Sequence, residues 1–162
     1  MLIRFAEEYL SMLKAGDIMP AVAVVDETGA AVTTKDLLGK PLVVYFYPKA
    51  DTPGCTNESM QFRDLYEQIH KAGADVVGVS RDTPAAQLKF KEKYGLPFRL
   101  LADTESKVCD AFGVIVDKNM YGKKSRGIQR STFLFDPKGK VVHVWPRVTV
   151  EGHAQDVLSR LP

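Results

Sequence analysis

The sequence predicts an α/β protein in which a central mixed sheet carries helices on both faces. Short apolar, β-branched runs alternate with segments of helical period through the middle of the chain, as in parallel strands joined by crossover helices. A strand–turn–strand pattern precedes this part and another follows it, so antiparallel strands are expected on either side. With 162 residues, 45% hydrophobic and 26% charged, the chain has the composition of one globular domain. We therefore expect a single domain over residues 1–162.

The N-terminal part predicts a helical extension followed by a hairpin. Over residues 1–16 apolar side chains recur at helical spacing, which predicts a short amphipathic helix packed on the body. These side chains are Leu2, Phe5, Tyr9, Leu10 and Leu13. Two β-prone runs, 21–25 and 31–34, then flank a turn in which Gly29 supplies the backbone angle that other residues avoid.

The central part reads as strand and helix in alternation. The run 43–47 is apolar throughout, as expected of a strand buried on both faces. A helical pattern follows from Cys55 to about Ala72, with Gly73 as its expected C-cap. Residues 75–79 form the next predicted strand.

Further elements complete the predicted order. Pro84 suits the first turn of a helix that continues to Tyr94. Residues 98–101 predict a strand, and 105–112 a short helix. A second hairpin, 131–135 with 141–145, and a last helix over 151–161 end the chain.

The stretch from Val116 to Gly127 shows no clear period and is basic, which predicts a long surface loop. Its cationic side chains are Lys118, Lys123, Lys124 and Arg126. Long loops in compact domains often carry function. A site for an anion or a partner and an ordinary solvated face both remain open.

Composition excludes several functions. A net charge of +2 gives no basic face for nucleic acid or a membrane surface. Two cysteines without a CxxC pair exclude a disulfide framework and fit a reducing, cytoplasmic compartment. His143 and His153 lie too far apart in sequence to be paired as metal ligands, and we expect both to be packing residues. We expect neither a metal nor a cofactor.

Cys55 is the candidate reactive residue. It stands between a predicted buried strand and the helix that follows, where open α/β sheets usually place their sites. Free amides and the positive end of the helix dipole favour a thiolate there. A small cysteine packed in a turn is the alternative that this placement leaves open.

The motif Pro48-x-x-x-Thr52-x-x-Cys55, with Arg130-Ser-Thr downstream, resembles the active-site signature of the peroxiredoxins. The resemblance is closest to the bacterioferritin-comigratory, or Q, class and covers nearly the whole chain. Other segments that carry it are 46–49, 62–64, 79–80, 120–123 and 148–153. It implies a thioredoxin-like fold and a peroxidase that reduces hydrogen peroxide and organic hydroperoxides through a cysteine.

The resemblance also implies roles for individual residues. Cys55 would be the peroxidatic nucleophile, Thr52 would orient the peroxide, and Pro48 would shield the sulfur from water. Arg130 would stabilise the thiolate and polarise the peroxide. Glu58, three residues after the cysteine, suits an orienting partner for Arg130, although an acid in a first helical turn is also ordinary.

The chain departs from its relatives at the resolving cysteine. Where many members have that cysteine, five residues after the first, this chain has Met60, and residues 84–94 contain none. Only Cys109 remains as a resolving candidate. We expect a one-cysteine peroxidase, monomeric or weakly dimeric, that is recycled by thioredoxin, glutaredoxin or a small thiol. Resolution by Cys109 and a redox-inactive binding module are the alternatives.

Overall fold

The computed structural model describes residues 12–162. The predicted N-terminal helix lies almost wholly outside these residues; its last part, 12–16, is a bend and a turn. There the Leu13 amide donates a hydrogen bond of 3.1 Å to the Phe112 carbonyl. None of the helices in residues 12–162 is long and apolar enough to cross a bilayer.

A seven-stranded mixed sheet forms the centre of the fold. Its order is β2-β1-β5-β4-β3-β8-β9, with β3, β4 and β5 parallel and the remaining pairs antiparallel. The strands are β1 (Ala23–Asp26), β2 (Ala31–Thr33), β3 (Leu42–Phe46), β4 (Asp75–Ser80), β5 (Arg99–Ala102), β8 (Ser131–Phe135) and β9 (Val141–Trp145). The predicted α/β fold and both hairpins are confirmed.

In the described part of the chain four α-helices cover the sheet: α1 (Pro53–Lys71), α2 (Pro84–Tyr94), α3 (Lys107–Phe112) and α4 (His153–Ser159). The first two begin with proline at an early position, where a missing N–H costs nothing. The cap of α1 is Ala72 rather than the predicted Gly73, which follows it with a positive φ of 86°. The residue after the cap is the one whose backbone turns to a positive φ, and glycine adopts that conformation without strain.

Two apolar layers lie on opposite faces of the sheet because side chains alternate along β3. Val43, Tyr45 and Tyr47 point into the layer that contains Cys55 and Phe62 of α1. Leu42, Val44 and Phe46 point into the other layer, which contains Cys109 and Phe112 of α3. Helices therefore cover both faces, as predicted, and the two cysteines belong to different layers.

The predicted loop over 116–127 is wrong. These residues form a hairpin of β6 (Ile115–Met120) and β7 (Lys123–Ile128), in which Lys118 pairs with Ser125. Tyr121 and Gly122 make the turn with φ values of 54° and 80°, the left-handed pair that a two-residue hairpin needs. The pattern was missed because most of the hairpin is solvated, so no alternation of apolar residues reveals it.

Candidate active site

Cys55 lies in the first turn of α1 and is 1% exposed. Thr52 is the N-cap, and the first helical hydrogen bond runs from the Thr56 amide to its carbonyl at 2.8 Å. Amides before that bond have no acceptor within the helix. The sulfur therefore occupies the end of the helix where a negative charge is stabilised by free N–H groups and the dipole.

Arg130 reaches this sulfur because of the sheet topology. It directly precedes β8, which runs antiparallel to β3 with Ser131 opposite Phe46. The start of β8 therefore lies beside the carboxyl end of β3, which leads to Cys55. The Arg130 Nη2 group donates to Cys55 Sγ at 3.3 Å. The sequence placed these residues 75 positions apart, and the antiparallel pairing brings them into contact.

Glu58 binds the second terminal nitrogen of the Arg130 guanidinium. Arg130 Nη1 donates to Glu58 Oε1 at 2.7 Å, and the glutamate side chain is 1% exposed. Its second oxygen, Oε2, is buried and has no hydrogen-bond partner among the described residues. Burial raises the pKa of Glu58 to about 7, against the opposing effect of Arg130. The carboxyl is therefore close to its titration point at neutral pH.

Gly54 makes room for this arrangement, a role that the sequence analysis did not assign to it. A Cβ at this position would stand 3.2 Å from Arg130 Nη2, closer than most side-chain contacts. Gly54 has no positive φ that would otherwise require glycine. A glycine inside the first turn of a helix is costly unless something approaches it closely, and that is the signal that could have identified it.

The loop before α1 is anchored by carboxylates that no pattern in the sequence indicated. Asp82, after β4, accepts from the Ala50 amide at 2.8 Å and from Ser80 Oγ at 2.6 Å. Asp51 adopts a φ of 59° and accepts from Tyr94 Oη at 2.5 Å. A left-handed aspartate costs free energy, and these contacts offset that cost while holding the loop that leads to Thr52.

Thr52 and Pro48 lie on this loop. The Thr52 hydroxyl donates to the Lys49 carbonyl at 2.7 Å, so its oxygen remains able to accept a hydrogen bond from another donor. Pro48 lies two residues after the end of β3 and is exposed. Among the described contacts the structure brings Cys55, Glu58 and Arg130 together, and it places Thr52 three residues before the sulfur at the helix cap.

Cys109 has a different environment. It is fully buried in α3, and its amide donates to Asp103 Oδ2 at 2.8 Å. Burial and the neighbouring Asp103 carboxylate raise the pKa of the Cys109 thiol far above its ordinary value. Since Cys55 belongs to the layer on the opposite face of the sheet, the structure does not bring the two sulfurs together.

The histidines have packing contacts. The rings of His143 and His153 both pack against Trp145, with ring centroids 4.4 Å and 5.6 Å away. His153 Nε2 and Thr132 Oγ1 are 2.8 Å apart, and burial lowers the pKa of His153 to about 4. Among residues 12–162 no group of three or more His, Cys, Asp or Glu side chains is arranged to hold a metal.

A buried thiol held by an arginine at the head of a helix has the means to attack an electrophile and to stabilise its own anion. On a sheet with this topology, it defines a cysteine-dependent oxidoreductase of thioredoxin-like fold. Comparison with known proteins identifies the class further. The model of the AhpC/TSA family matches residues 15–144.

Relatives agree with that match. Peroxiredoxin Bcp of Xanthomonas campestris pv. campestris is 48% identical over 133 residues, which is 82% of this chain and 83% of the relative. Peroxiredoxin Bcp of Escherichia coli K12 is 43% identical over 152 residues, 94% and 97% of the two chains. The chain belongs to the AhpC/TSA family, among the Bcp, or Q, peroxiredoxins, and is a thiol-dependent peroxidase.

Solved structures show the same fold. A structure of Xanthomonas campestris peroxiredoxin Q superposes with a TM-score of 0.82 at 46% identity, covering 86% of this chain and 89% of that chain. A second, from work on alkyl peroxide reduction by the bacterioferritin comigratory protein of that organism, gives 0.82 at 45% identity with the same coverage. The predicted thioredoxin-like peroxiredoxin fold is therefore confirmed.

The ionisation of Glu58 predicts a pH-dependent stability. Below about pH 4.5, the ordinary pKa of the carboxyl, it is protonated in both the folded and the unfolded chain. Between there and about pH 7 only the unfolded chain loses the proton, so Glu58 lowers the free energy of unfolding as the pH rises. We expect Glu58→Gln to remove this loss, roughly 3 kcal/mol at pH 8.

This measurement is made by urea unfolding at several pH values in a Cys55→Ser background, which removes the reactive thiol that contacts Arg130. The difference between the proteins with and without Glu58→Gln isolates the buried carboxyl. A difference that stays constant from pH 4 to pH 8 would show that Glu58 titrates normally.

Proposed function

We propose that the chain is a one-cysteine peroxidase in which Cys55 is the peroxidatic residue and an external thiol completes the cycle. The observation that carries this proposal is the 3.3 Å contact between Arg130 Nη2 and Cys55 Sγ at the head of α1. The Cys55 thiolate attacks one oxygen of the hydroperoxide and the O–O bond breaks. The sulfur is oxidised by two electrons to a sulfenic acid, and the other oxygen leaves as an alcohol or water after taking up a proton.

Each neighbour contributes to this step in the proposal. Arg130 stabilises the thiolate and the charge that moves onto the leaving oxygen, because it is a fixed cation with several donors. Glu58 orients Arg130 through its 2.7 Å ion pair. Thr52 presents its free acceptor side to the peroxide, and Pro48 covers the sulfur from the solvent side. These roles for Thr52 and Pro48 come from the motif.

The second half of the cycle needs a thiol from outside the chain. It attacks the sulfenic sulfur and releases water, forming a mixed disulfide that a further thiol reduces to regenerate Cys55. Cys109 is buried behind the sheet with a raised pKa, and a disulfide would require the two sulfurs to come within about 2 Å of each other. Thioredoxin, glutaredoxin or a small thiol is therefore the proposed reductant.

The setting of the enzyme is part of the proposal. Both cysteines are free, which fits a reducing compartment such as the bacterial cytoplasm. We propose one domain over the whole chain and a monomer or weak dimer. No metal or cofactor enters the proposed cycle, since the two-electron chemistry is supplied by sulfur alone.

The intact mass of the protein after one equivalent of peroxide tests the one-cysteine mechanism. We expect a dimedone adduct on Cys55 with Cys109 still free, because the Cys109 thiol is enclosed on the other face of the sheet. A loss of two hydrogens per chain, with both thiols consumed and no adduct, would establish a bridge between Cys55 and Cys109. That result would replace the proposal by the two-cysteine alternative.

A further inference from the structure

The turn that leads into α1 has an aspartate where the backbone adopts a positive φ. Ala50 and Asp51 are the two central residues of this turn, and of the two only Asp51 has a positive φ, 59°. Turns with this pattern prefer glycine at the second central position, because a residue with a side chain is strained there. An aspartate is therefore expected only if its carboxylate makes contacts that a glycine could not make.

The Asp51 carboxylate is bound by the last two residues of α2. Tyr94 Oη donates to Asp51 Oδ1 at 2.5 Å, and Lys93 Nζ donates to Oδ2 at 2.9 Å. The side chains of Lys93 and Asp51 are 52% and 42% exposed, and exposed ion pairs add little stability. The hydrogen bond from Tyr94, more than that from Lys93, lowers the pKa of the Asp51 carboxyl. Tyr94 is thus the more important of the two partners.

Tyr94 is itself held by its neighbours. Its ring packs on Phe90, which is 1% exposed, with the ring centroids 5.4 Å apart. Its carbonyl accepts a hydrogen bond of 2.8 Å from Arg63 Nη1 of α1. Two turns earlier in α2, the buried Gln87 accepts from Tyr47 Oη at 2.5 Å. Since α2 is tied to α1 and to the segment after β3, its last residue can hold the turn in place.

The other central residue of the turn is held by a different element. The Ala50 amide donates to Asp82, which follows β4, at 2.8 Å. The turn brings Lys49 and Thr52 together, and the Thr52 hydroxyl donates to the Lys49 carbonyl at 2.7 Å. That hydrogen bond uses the hydroxyl hydrogen, so Thr52 Oγ1 can only accept from a substrate. A change of φ at Asp51 would separate Lys49 from Thr52 and end this arrangement.

We propose that Tyr94 is a positioning residue for the peroxide step and that it acts through Asp51 on Thr52. The Tyr94 hydroxyl keeps Asp51 in the left-handed conformation, so the turn stays closed. Thr52 Oγ1 is then presented as an acceptor for the O–H group of the hydroperoxide. This inference rests on the proposed function, in which Thr52 orients the peroxide.

Tyr94→Phe tests the proposal, because it removes the hydroxyl and keeps the ring on Phe90. The second-order rate constant of Cys55 with hydrogen peroxide is measured by rapid mixing with limiting peroxide. We expect it to fall roughly fivefold, the effect of one lost hydrogen bond. The rate constant for alkylation of Cys55 by iodoacetamide is measured in parallel. It should not fall, since this electrophile needs the thiolate and not the acceptor at Thr52.

Substitutions of Asp51 separate the backbone conformation from the side-chain contact. Asp51→Ala loses the contact and strains the backbone, so its rate constant for peroxide should fall roughly tenfold. Asp51→Gly also loses the contact but adopts a positive φ without strain, and it should recover part of this loss. Asp51→Asn keeps an oxygen for the Tyr94 hydroxyl and tolerates a positive φ, so it should be the fastest of the three.

A double variant shows whether Tyr94 and Asp51 act together. In the Asp51→Ala background, Tyr94→Phe should cause no further loss with peroxide, because both changes remove the same contact. Losses that add in full would mean that the two residues act independently, and would contradict the proposal.

Tyr66→Phe is the matched control. Tyr66 Oη also donates to a carboxylate, Asp75 Oδ1, at 2.8 Å. Asp75 is the first residue of β4, so this pair lies at the opposite end of that strand from Asp82. We expect neither rate constant to change by more than about twofold, since the lost contact is distant from the turn.

An unchanged rate constant for peroxide in Tyr94→Phe would overturn the proposal. Equal falls with peroxide and iodoacetamide would also overturn it, because they would place the effect on the thiolate. If Thr52→Val reacts with peroxide as fast as wild type, the role of Thr52 is refuted and the inference with it. Failure of the one-cysteine mechanism is recognised separately, by the Cys55–Cys109 bridge in the intact mass.

Discussion

Cys55→Ser is expected to reduce peroxide consumption to the rate of the buffer, a loss of at least about 10⁴-fold, the order that removal of a covalent nucleophile causes. A serine hydroxyl in the same place is a poor nucleophile, and peroxide cannot oxidise its oxygen to a counterpart of the sulfenic acid. Neither half of the cycle can therefore proceed. The measurement is loss of hydrogen peroxide over time with excess thiol. Consumption by the variant at the rate of wild type would refute the assignment of Cys55.

Cys109→Ala is the matched control, because it removes the only other thiol in the chain. The Cys109 side chain lies in the apolar layer behind the sheet, so we expect a small loss of stability from the vacated space. Peroxide consumption should stay within about twofold of wild type. A large loss of turnover with the fold intact would instead assign a redox role to Cys109.

Arg130→Met should lower the second-order rate constant for peroxide roughly 10²–10³-fold, as removal of one preorganised donor to a developing negative charge does in other enzymes. The guanidinium is the described side chain that touches Cys55 Sγ, and it is held by Glu58. Without it the thiolate loses a 3.3 Å donor and the leaving oxygen loses its nearby cation. The rate constant is measured by rapid mixing with limiting peroxide.

Unfolding must be separated from loss of chemistry in this variant, since Arg130→Met leaves the buried Glu58 carboxyl without its partner. The double variant Arg130→Met with Glu58→Gln removes that unpaired carboxyl and should regain stability without regaining activity. Arg130→Lys keeps the positive charge but cannot contact Cys55 and Glu58 through two separate nitrogens. Its rate constant for peroxide should therefore fall between those of wild type and Arg130→Met. Arg160→Met, which removes an arginine at the end of α4, is the control. Recovery of activity in the double variant would show that Arg130 acts only on stability.

Elements with a buried face were predictable, and the β6–β7 hairpin was not. Strands β3 and β4 are almost entirely buried, so their apolar runs indicate strands directly. The hairpin is largely solvated, with Lys123 and Lys124 exposed, and its register comes from a backbone turn at Tyr121. A polar strand pair stabilised by its own hydrogen bonds gives no pattern of apolar residues to read.

In the active site, too, some features were predictable from local sequence and others depended on the fold. Cys55 at the head of a helix follows from local sequence, and so does the neighbourhood of Thr52, because strand, turn and helix are contiguous. The motif indicated Arg130, and the position of Glu58 three residues after Cys55 suited a partner for it. The 2.7 Å and 3.3 Å contacts themselves depend on the pairing of β8 with β3. The supports at Asp51 and Asp82 had no local signal, since each acts on a residue from another element or loop.

The sequence by itself determined the order of the elements and the residue types at the head of α1, since hydrophobic period and turn chemistry are local properties. Tertiary structure alone decided two matters. It placed Cys109 behind the sheet from Cys55, because successive β3 side chains alternate between the layers that contain them. It also brought Arg130 to within 3.3 Å of Cys55 Sγ, because the pairing of β8 with β3 that sets this distance arises only when the chain has folded.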